Sequence, residues 1–263
     1  MQERSKVRQY RTRVGRAIHG DNLFYGRSVK DDIVGKKNLW QILSMAVNGP
    51  ELTPFQCAFL DAMAGAGLAA DPRIWPLKAT RVAGAYGDFY MSLGTALVLA
   101  SDTAVGPSYC EFTARIFLRF DELLRAQPQL TLDEVVSRVK EEQGGRLAGF
   151  GVPGRQEDER YLAISTWFDQ NCPGPEYPVR YWTLCQELRP IMERRFGIRP
   201  NWMACVVVLL LDMGFDVHQL TSLSLMALFP CYFANAYEGS CVPEARLPER
   251  IDSSLVTYAG KPA

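Results

Sequence analysis

The sequence predicts an all-α protein, and three observations carry that prediction. Apolar residues recur at the i, i+3, i+4, i+7 spacing of a single helix face in several segments. Helix start and stop residues bracket those segments. No apolar–polar alternation of any length is present, and neither an internal repeat nor a low-complexity tract breaks the pattern.

In chain order, Asn38 to Val47 places Leu39, Ile42, Leu43 and Ala46 on one face and stops at Asn48-Gly49-Pro50. Thr53-Pro54 opens the next helix, with Thr53 as N-cap and proline at the first helical position. Asp88 to Ser101 is a further hydrophobic helix. Thr131 and Glu134 form a capping box ahead of Val135, Val136 and Val139. Tyr177 to Phe196 reads as a long helix with Leu184, Leu188 and Ile191 on one face, Arg189 directed away from it, a kink at Pro190 and a stop at Gly197. Met203 to Leu211 is nine consecutive residues without a polar side chain. A membrane span needs about 20, so this run reads as a buried core helix, with a buried strand as the alternative. Asp216 caps a final helix, Val217 to Tyr237, expected to be interrupted at Pro230.

Length and charge narrow the function. At 263 residues the chain is one large unit or two interlocked lobes. Lysine and arginine number 29, as do aspartate and glutamate. That balance lacks the basic excess a nucleic-acid binder needs. The basic stretch Arg4 to Arg16 has no apolar core of a secretory signal and reads as a solvated arm. The two histidines, His19 and His218, lie far apart, so no short-spaced zinc motif can be written. Both read as exposed residues, one in a loop and one in the first turn of the last helix. Seven cysteines are scattered without a C-x-x-C pair. No metal site is expected, and a reducing, cytoplasmic compartment is.

One loop carries functional interest. Gly149-Phe150-Gly151-Val152-Pro153-Gly154 places three glycines and a proline within six residues, just ahead of Glu157-Asp158-Glu159. Glycine-rich turns before a helix can cradle an anion through their amides. An acidic first turn equally suits the helix dipole with no ligand present.

At this loop the sequence resembles the citrate synthase family. The family's Gly-Phe-Gly-His segment, followed by Asp-Pro-Arg, is similar to Gly149-Phe150-Gly151-Val152-Pro153 and Asp158-Glu159-Arg160. Its Pro-Asn-Val-Asp segment resembles Pro200-Asn201-Trp202-Met203, and its downstream turn resembles Met213-Gly214-Phe215. An upstream Gly-Pro-Leu-His-Gly segment, continuing through Asn to Glu, resembles Asp102 to Glu111. Leu23 to Ser28 and Leu39 to Pro54 resemble the family's N-terminal loop and first large-domain helices. The length resembles the compact citryl-CoA lyase type.

The resemblance implies a two-lobed helical fold, with residues 1–106 and 201–263 as the large domain and 107–200 as the small one. It also implies a homodimer. The apolar helices at Asn38–Val47 and Asp88–Ser101 offer surfaces for it, although packing within one chain explains them equally well. A CoA thioester is implied as substrate rather than as a bound cofactor. Yet the family's two catalytic histidines and its aspartate fall on Val105, Val152 and Met203, and its carboxylate-binding arginine falls near Leu228. General acid–base catalysis contributes roughly 10²–10⁴-fold per group, so ordinary citrate synthesis is not expected.

Two readings follow. In the first, the protein binds an acyl-CoA thioester or a small di- or tricarboxylate and carries out altered carbon–carbon bond chemistry of the lyase or condensation type. Glu111 and Asp158 are its candidate bases. Tyr109, Arg155, Arg160 and Asn201 bind substrate, and Gly149, Gly151, Val152 and Pro153 hold the CoA. Arginines suit carboxylates because guanidinium binds them in a bidentate way. Cys110 reads as a buried apolar residue or a nucleophile. In the second reading, the protein is a non-catalytic binding or regulatory subunit. Neither reading calls for nucleic acid or membrane.

Overall fold

The structure is a computed structural model and describes residues 11–100, 106–174, 177 and 179–241. Within them lie ten α-helices and one small antiparallel sheet, in two compact units.

The sheet opens the chain with strands β1 (Gly15–Ile18), β2 (Asp21–Phe24) and β3 (Arg27–Ser28) in spatial order. Ile18 pairs with Asp21 across a two-residue turn containing His19, and Tyr25-Gly26, at φ 49° and 80°, turns β2 into β3. Positive φ at both central residues matches the twist of a hairpin. The fold is all-α as the sequence predicts, and these strands add one small sheet to it. They are two to four residues long, and β1 is exposed along its whole length, so no buried face imprints an alternation on the sequence.

The first unit combines residues 1–68 and 102–228. Its helices are α1 (Leu39–Ala46), α2 (Pro54–Ala66), α5 (Tyr109–Ala126), α6 (Leu132–Glu142), α7 (Glu159–Asn171), α8 (Arg180–Phe196) and α9 (Trp202–Asp212). Capping boxes begin α1 at Asn38, α2 at Thr53 and α6 at Thr131. Helix α9 is the apolar run. Trp202 through Leu210 are all buried, and α5, α7 and α8 pack around it. A helix apolar on every face needs such enclosure, and each buried aliphatic side chain contributes about 1.5–3 kcal/mol. The strand alternative for this segment is therefore set aside.

Helix α8 starts at Arg180, later than Tyr177, because its cap comes from elsewhere. The carboxylate of Asp212, the last residue of α9, accepts the N–H groups of Tyr181 and Trp182 at 2.8 and 2.9 Å. The helix continues through Pro190 with Leu188, Ile191 and Met192 buried around it. It ends at Gly197 in the left-handed conformation.

The second unit combines residues 69–101 and 229–263. It contains α3 (Trp75–Tyr86), α4 (Phe89–Leu99) and the C-terminal part of α10 (Val217–Cys241). Asp216 caps α10 through the N–H groups of His218 and Gln219, both at 2.9 Å. The helix is not interrupted at Pro230 and continues to Cys241. The proline sits where the chain passes from one unit to the other. Gly84 lets α3 touch α10, since a Cβ there would lie 3.0 Å from the backbone of Ser240. An Arg81–Glu238 ion pair joins the same two helices. These packing units divide the chain at positions other than the 107–200 lobe implied by the resemblance, because α5 to α8 pack on α2 and α9 in a single core.

Candidate functional site

The glycine loop is stitched to the segment leading into α9. Gly151 donates its N–H to the Arg199 carbonyl at 2.8 Å, and Asn201 donates its N–H to the Gly149 carbonyl at 2.9 Å. The Asn201 side chain serves both partners. Its amide donates to the Gly151 carbonyl at 3.0 Å, and its oxygen accepts from Ala204 N at 3.2 Å as the N-cap of α9. Tyr109, at the start of α5, accepts the Gly149 N–H through its phenol oxygen at 3.3 Å. Burial raises the pKa of that phenol, against the Gly149 amide and the Arg146 charge.

Gly149 is required twice over. It holds φ 90°, and a Cβ would lie 2.7 Å from the Thr113 methyl carbon. Beside it Phe150 is buried and stacked on Phe117, with centroids 5.8 Å apart. Val152, half-buried, pairs across the Pro153-Gly154 turn with Arg155. The amides of Gly149 and Gly151 are thus spent on Tyr109 and Arg199, so neither is free to cradle an anion in the way the glycine-rich turn suggests.

The two candidate bases are also occupied. Asp158 is 1% exposed and caps α7. Its carboxylate receives Arg160 Nε and Nη2, each at 2.9 Å, Arg160 N at 3.1 Å and Trp202 N at 2.9 Å. Burial would raise its pKa, but the hydrogen bonds from Arg160 and Trp202 outweigh that and hold it below the usual value. Asp158 is a clamp between α7 and α9, with its acceptor capacity used. Glu111 lies on the surface of α5, paired with Arg115 one turn on at 2.7 Å. The two carboxylates have separate arginine partners, Glu111 with Arg115 and Asp158 with Arg160.

Of the positions matched to the family's catalytic residues, Val105 lies outside the described residues. Met203 is buried in the first turn of α9, its sulfur 2.8 Å from Cys110 Sγ. Burial pushes the Cys110 thiol up to about 12, with Ser224 pulling it down slightly. A thiol in that state is inert. His19 and His218 are both exposed. Among the described residues no group of three or more His, Cys, Asp or Glu side chains has metal-binding geometry.

Ion pairs surround the loop. Arg155 pairs with Glu159. Glu157, immediately before Asp158, bridges Arg189 on α8 at 2.8 Å and Arg199 at 2.9 Å. Arg199 also pairs with Glu193. Arg189 does turn away from the apolar face of α8, as its spacing predicts, but its role and that of Arg199 were not foreseen. Their partner Glu157 is near in sequence to neither, so no short motif marks the cluster.

This all-α fold, with its glycine loop locked onto the entrance of an apolar central helix, is similar to that of solved citryl-CoA lyase, ATP citrate lyase and citrate synthase structures. Citryl-CoA lyase from Hydrogenobacter thermophilus superposes with a TM-score of 0.78 at 18% identity, covering 97% of this chain and 96% of that one. ATP citrate lyase from Methanothrix soehngenii, in complex with citrate and coenzyme A, gives 0.77 at 14% identity. There 97% of this chain matches 42% of the larger one. Citrate synthase from Thermoplasma acidophilum, in a ternary complex with carboxymethyl coenzyme A and oxaloacetate, gives 0.59 at 18% identity, covering 84% of this chain and 57% of that one. No family model matches the sequence, and no curated protein does.

Proposed function

We propose that this protein binds a CoA thioester or a small di- or tricarboxylate on a citrate-synthase-type fold, and acts as a binding or regulatory chain. The observation that carries the reading is a contrast. The fold matches that of a citryl-CoA lyase over nearly its whole length, while Val152, Met203, Asp158 and Glu111 supply no free acid or base. That contrast favours binding over altered carbon–carbon bond chemistry. Arg160 supports anion recognition. Its side chain is 31% exposed, and its Nη1 makes no hydrogen bond among the described residues.

A homodimer is proposed as well. In the second unit Tyr90, Leu97 and Tyr237 are exposed, and large apolar side chains at the surface can be covered by a second copy. No helix among the described residues is long and apolar enough to cross a membrane. None of the seven cysteines forms a disulfide, which supports a reducing, cytoplasmic setting.

The test is a thermal-shift series with acetyl-CoA, citrate and oxaloacetate, run beside an assay for CoA release from acetyl-CoA plus oxaloacetate. Stabilisation by a CoA ester or a carboxylate without CoA release is expected, since a ligand that binds only the folded state raises its stability. Release of CoA at an ordinary enzymatic rate would overturn the reading.

A further inference from the structure

We propose that Arg189 and Arg199 form a carboxylate-binding site that Glu157 occupies from within the chain, and that a small di- or tricarboxylate enters by displacing it. The inference rests on the carboxylate-binding function proposed above and specifies where that ligand sits.

The geometry is that of a bound guest. The Glu157 oxygens divide between two guanidiniums, Oε1 on Arg189 at 2.8 Å and Oε2 on Arg199 at 2.9 Å. A free carboxylate would meet the same pair in the same way. Neighbouring Asp158 shows what a structural carboxylate looks like here. Its side chain is fully buried, and it takes two backbone N–H groups that would otherwise be orphaned. Glu157 takes no backbone donor, and its side chain is 30% exposed, as are those of Arg189 at 31% and Arg199 at 28%. Water reaches all three, so exchange opens no buried void.

Each arginine has a contact besides Glu157. Arg189 sits on α8 with its guanidinium 5.8 Å from the centre of the Tyr161 ring, and Arg199 is held by Glu193 and by its backbone carbonyl bond to Gly151. Glu157 instead lies in the bend between the Val152–Arg155 turn and the start of α7. Gly154 in that turn adopts φ 71° with open space around it. Arg189 thus stands on a helix and Arg199 on a segment tied by its backbone to Gly151, while Glu157 lies in a bend. Charge points the same way, because removing Glu157 leaves Glu193 alone facing two cations.

The experiment titrates the full-length protein with citrate and with succinate by calorimetry, comparing the parent with Glu157→Gln and with Glu157→Gln/Arg189→Ala. Glu157→Gln keeps the side-chain shape and removes the competing charge. It is expected to bind citrate about tenfold more tightly than the parent, and the double variant should lose that gain. Acetyl-CoA binding should be unchanged by Glu157→Gln. Equal citrate affinity in parent and Glu157→Gln, with both folded by circular dichroism, overturns this site while leaving the broader binding function standing if CoA esters still bind. A gain that survives Arg189→Ala also overturns it. Absence of binding by every variant to every ligand overturns both.

Discussion

The carboxylate of Asp158 accepts the backbone N–H of Trp202 at 2.9 Å, so the residue that caps α7 also holds the first turn of α9. One buried side chain therefore sets the angle at which two core helices leave the glycine loop. Asp158→Ala would strand the Trp202 amide and release Arg160 from its bidentate pair. Removing one member of a buried pair costs about 3–5 kcal/mol. The expected result is a loss near the lower end of that range in urea unfolding, since Arg160 can reach solvent. A variant as stable as the parent would return Asp158 to the candidate bases. Because the folded carboxyl is held below its ordinary value, its contribution is present at neutral pH and is lost as pH falls below about 4.

Asp212 carries the opposite sign. Burial raises its pKa from 3.8 to about 6, despite the N–H groups of Tyr181 and Trp182 and the charge of Arg180. The folded state then holds a proton more tightly than the unfolded state does. The contribution of Asp212 to stability is expected to fall as pH rises from about 4 to 6, by about 2–3 kcal/mol. Asp212→Asn should abolish that dependence, because no ionisation remains at the α8 cap. Denaturant midpoints of parent and Asp212→Asn measured across this range check it, and a difference between the two that does not change with pH contradicts the assignment.

Gly149→Ala should destabilise through two separable effects. The added methyl would meet the Thr113 side chain at 2.7 Å, and φ 90° is costly for any residue with a Cβ. A strained backbone of this kind costs about 1–3 kcal/mol. Combining Gly149→Ala with Thr113→Ala should recover the steric part and leave the backbone part. If the second change recovers nothing, the contact with Thr113 is not what requires glycine.

The apolar helix surface of the second unit leads to a prediction about assembly. Val98 is 71% exposed and Tyr90 80% exposed on α4. If this face joins two copies, Val98→Asp should convert a dimer to a monomer in sedimentation velocity with little change in far-UV circular dichroism. A parent that already sediments as a monomer at micromolar concentration contradicts the dimer.

Several helices were legible because they announce themselves locally, whereas α3 and α5 were not read from the sequence. Thr53-Pro54, the Thr131–Glu134 box and the uninterrupted apolar run of α9 need no partner elsewhere in the chain to be recognised. The start of α8 was not legible, since its cap is Asp212, far away in sequence and adjacent only in the fold. The site divides in the same way. The glycine loop and Asn201 were readable from their residues. That the loop amides are consumed by Tyr109 and Arg199 depends on contacts from two other elements. Glu157 likewise looked like a helix-dipole charge, and only folding brings α8 and Arg199 to it.

Thiol chemistry offers a direct check on the buried centre of the candidate site. Cys110 lies at the position where a nucleophile would be most interesting, one residue after Tyr109 and in contact with Met203. Its thiol is fully buried and pushed up to about 12, as is that of Cys185, in each case by burial first. Attack on a thiol reagent proceeds through the thiolate, and at neutral pH neither group supplies it. Cys241 is exposed and Cys172 is partly so, whereas Cys57, Cys205 and Cys231 are buried with the others. A stopped-flow titration with a chromogenic disulfide should therefore give a fast phase from Cys241, lost in Cys241→Ser, and a slower one from Cys172. The five buried thiols should react only at the rate of global or local opening, and their rate should rise with urea. Fast labelling of Cys110 in the native protein, identified by peptide mapping, would place that thiol at an open surface and restore it as a candidate nucleophile.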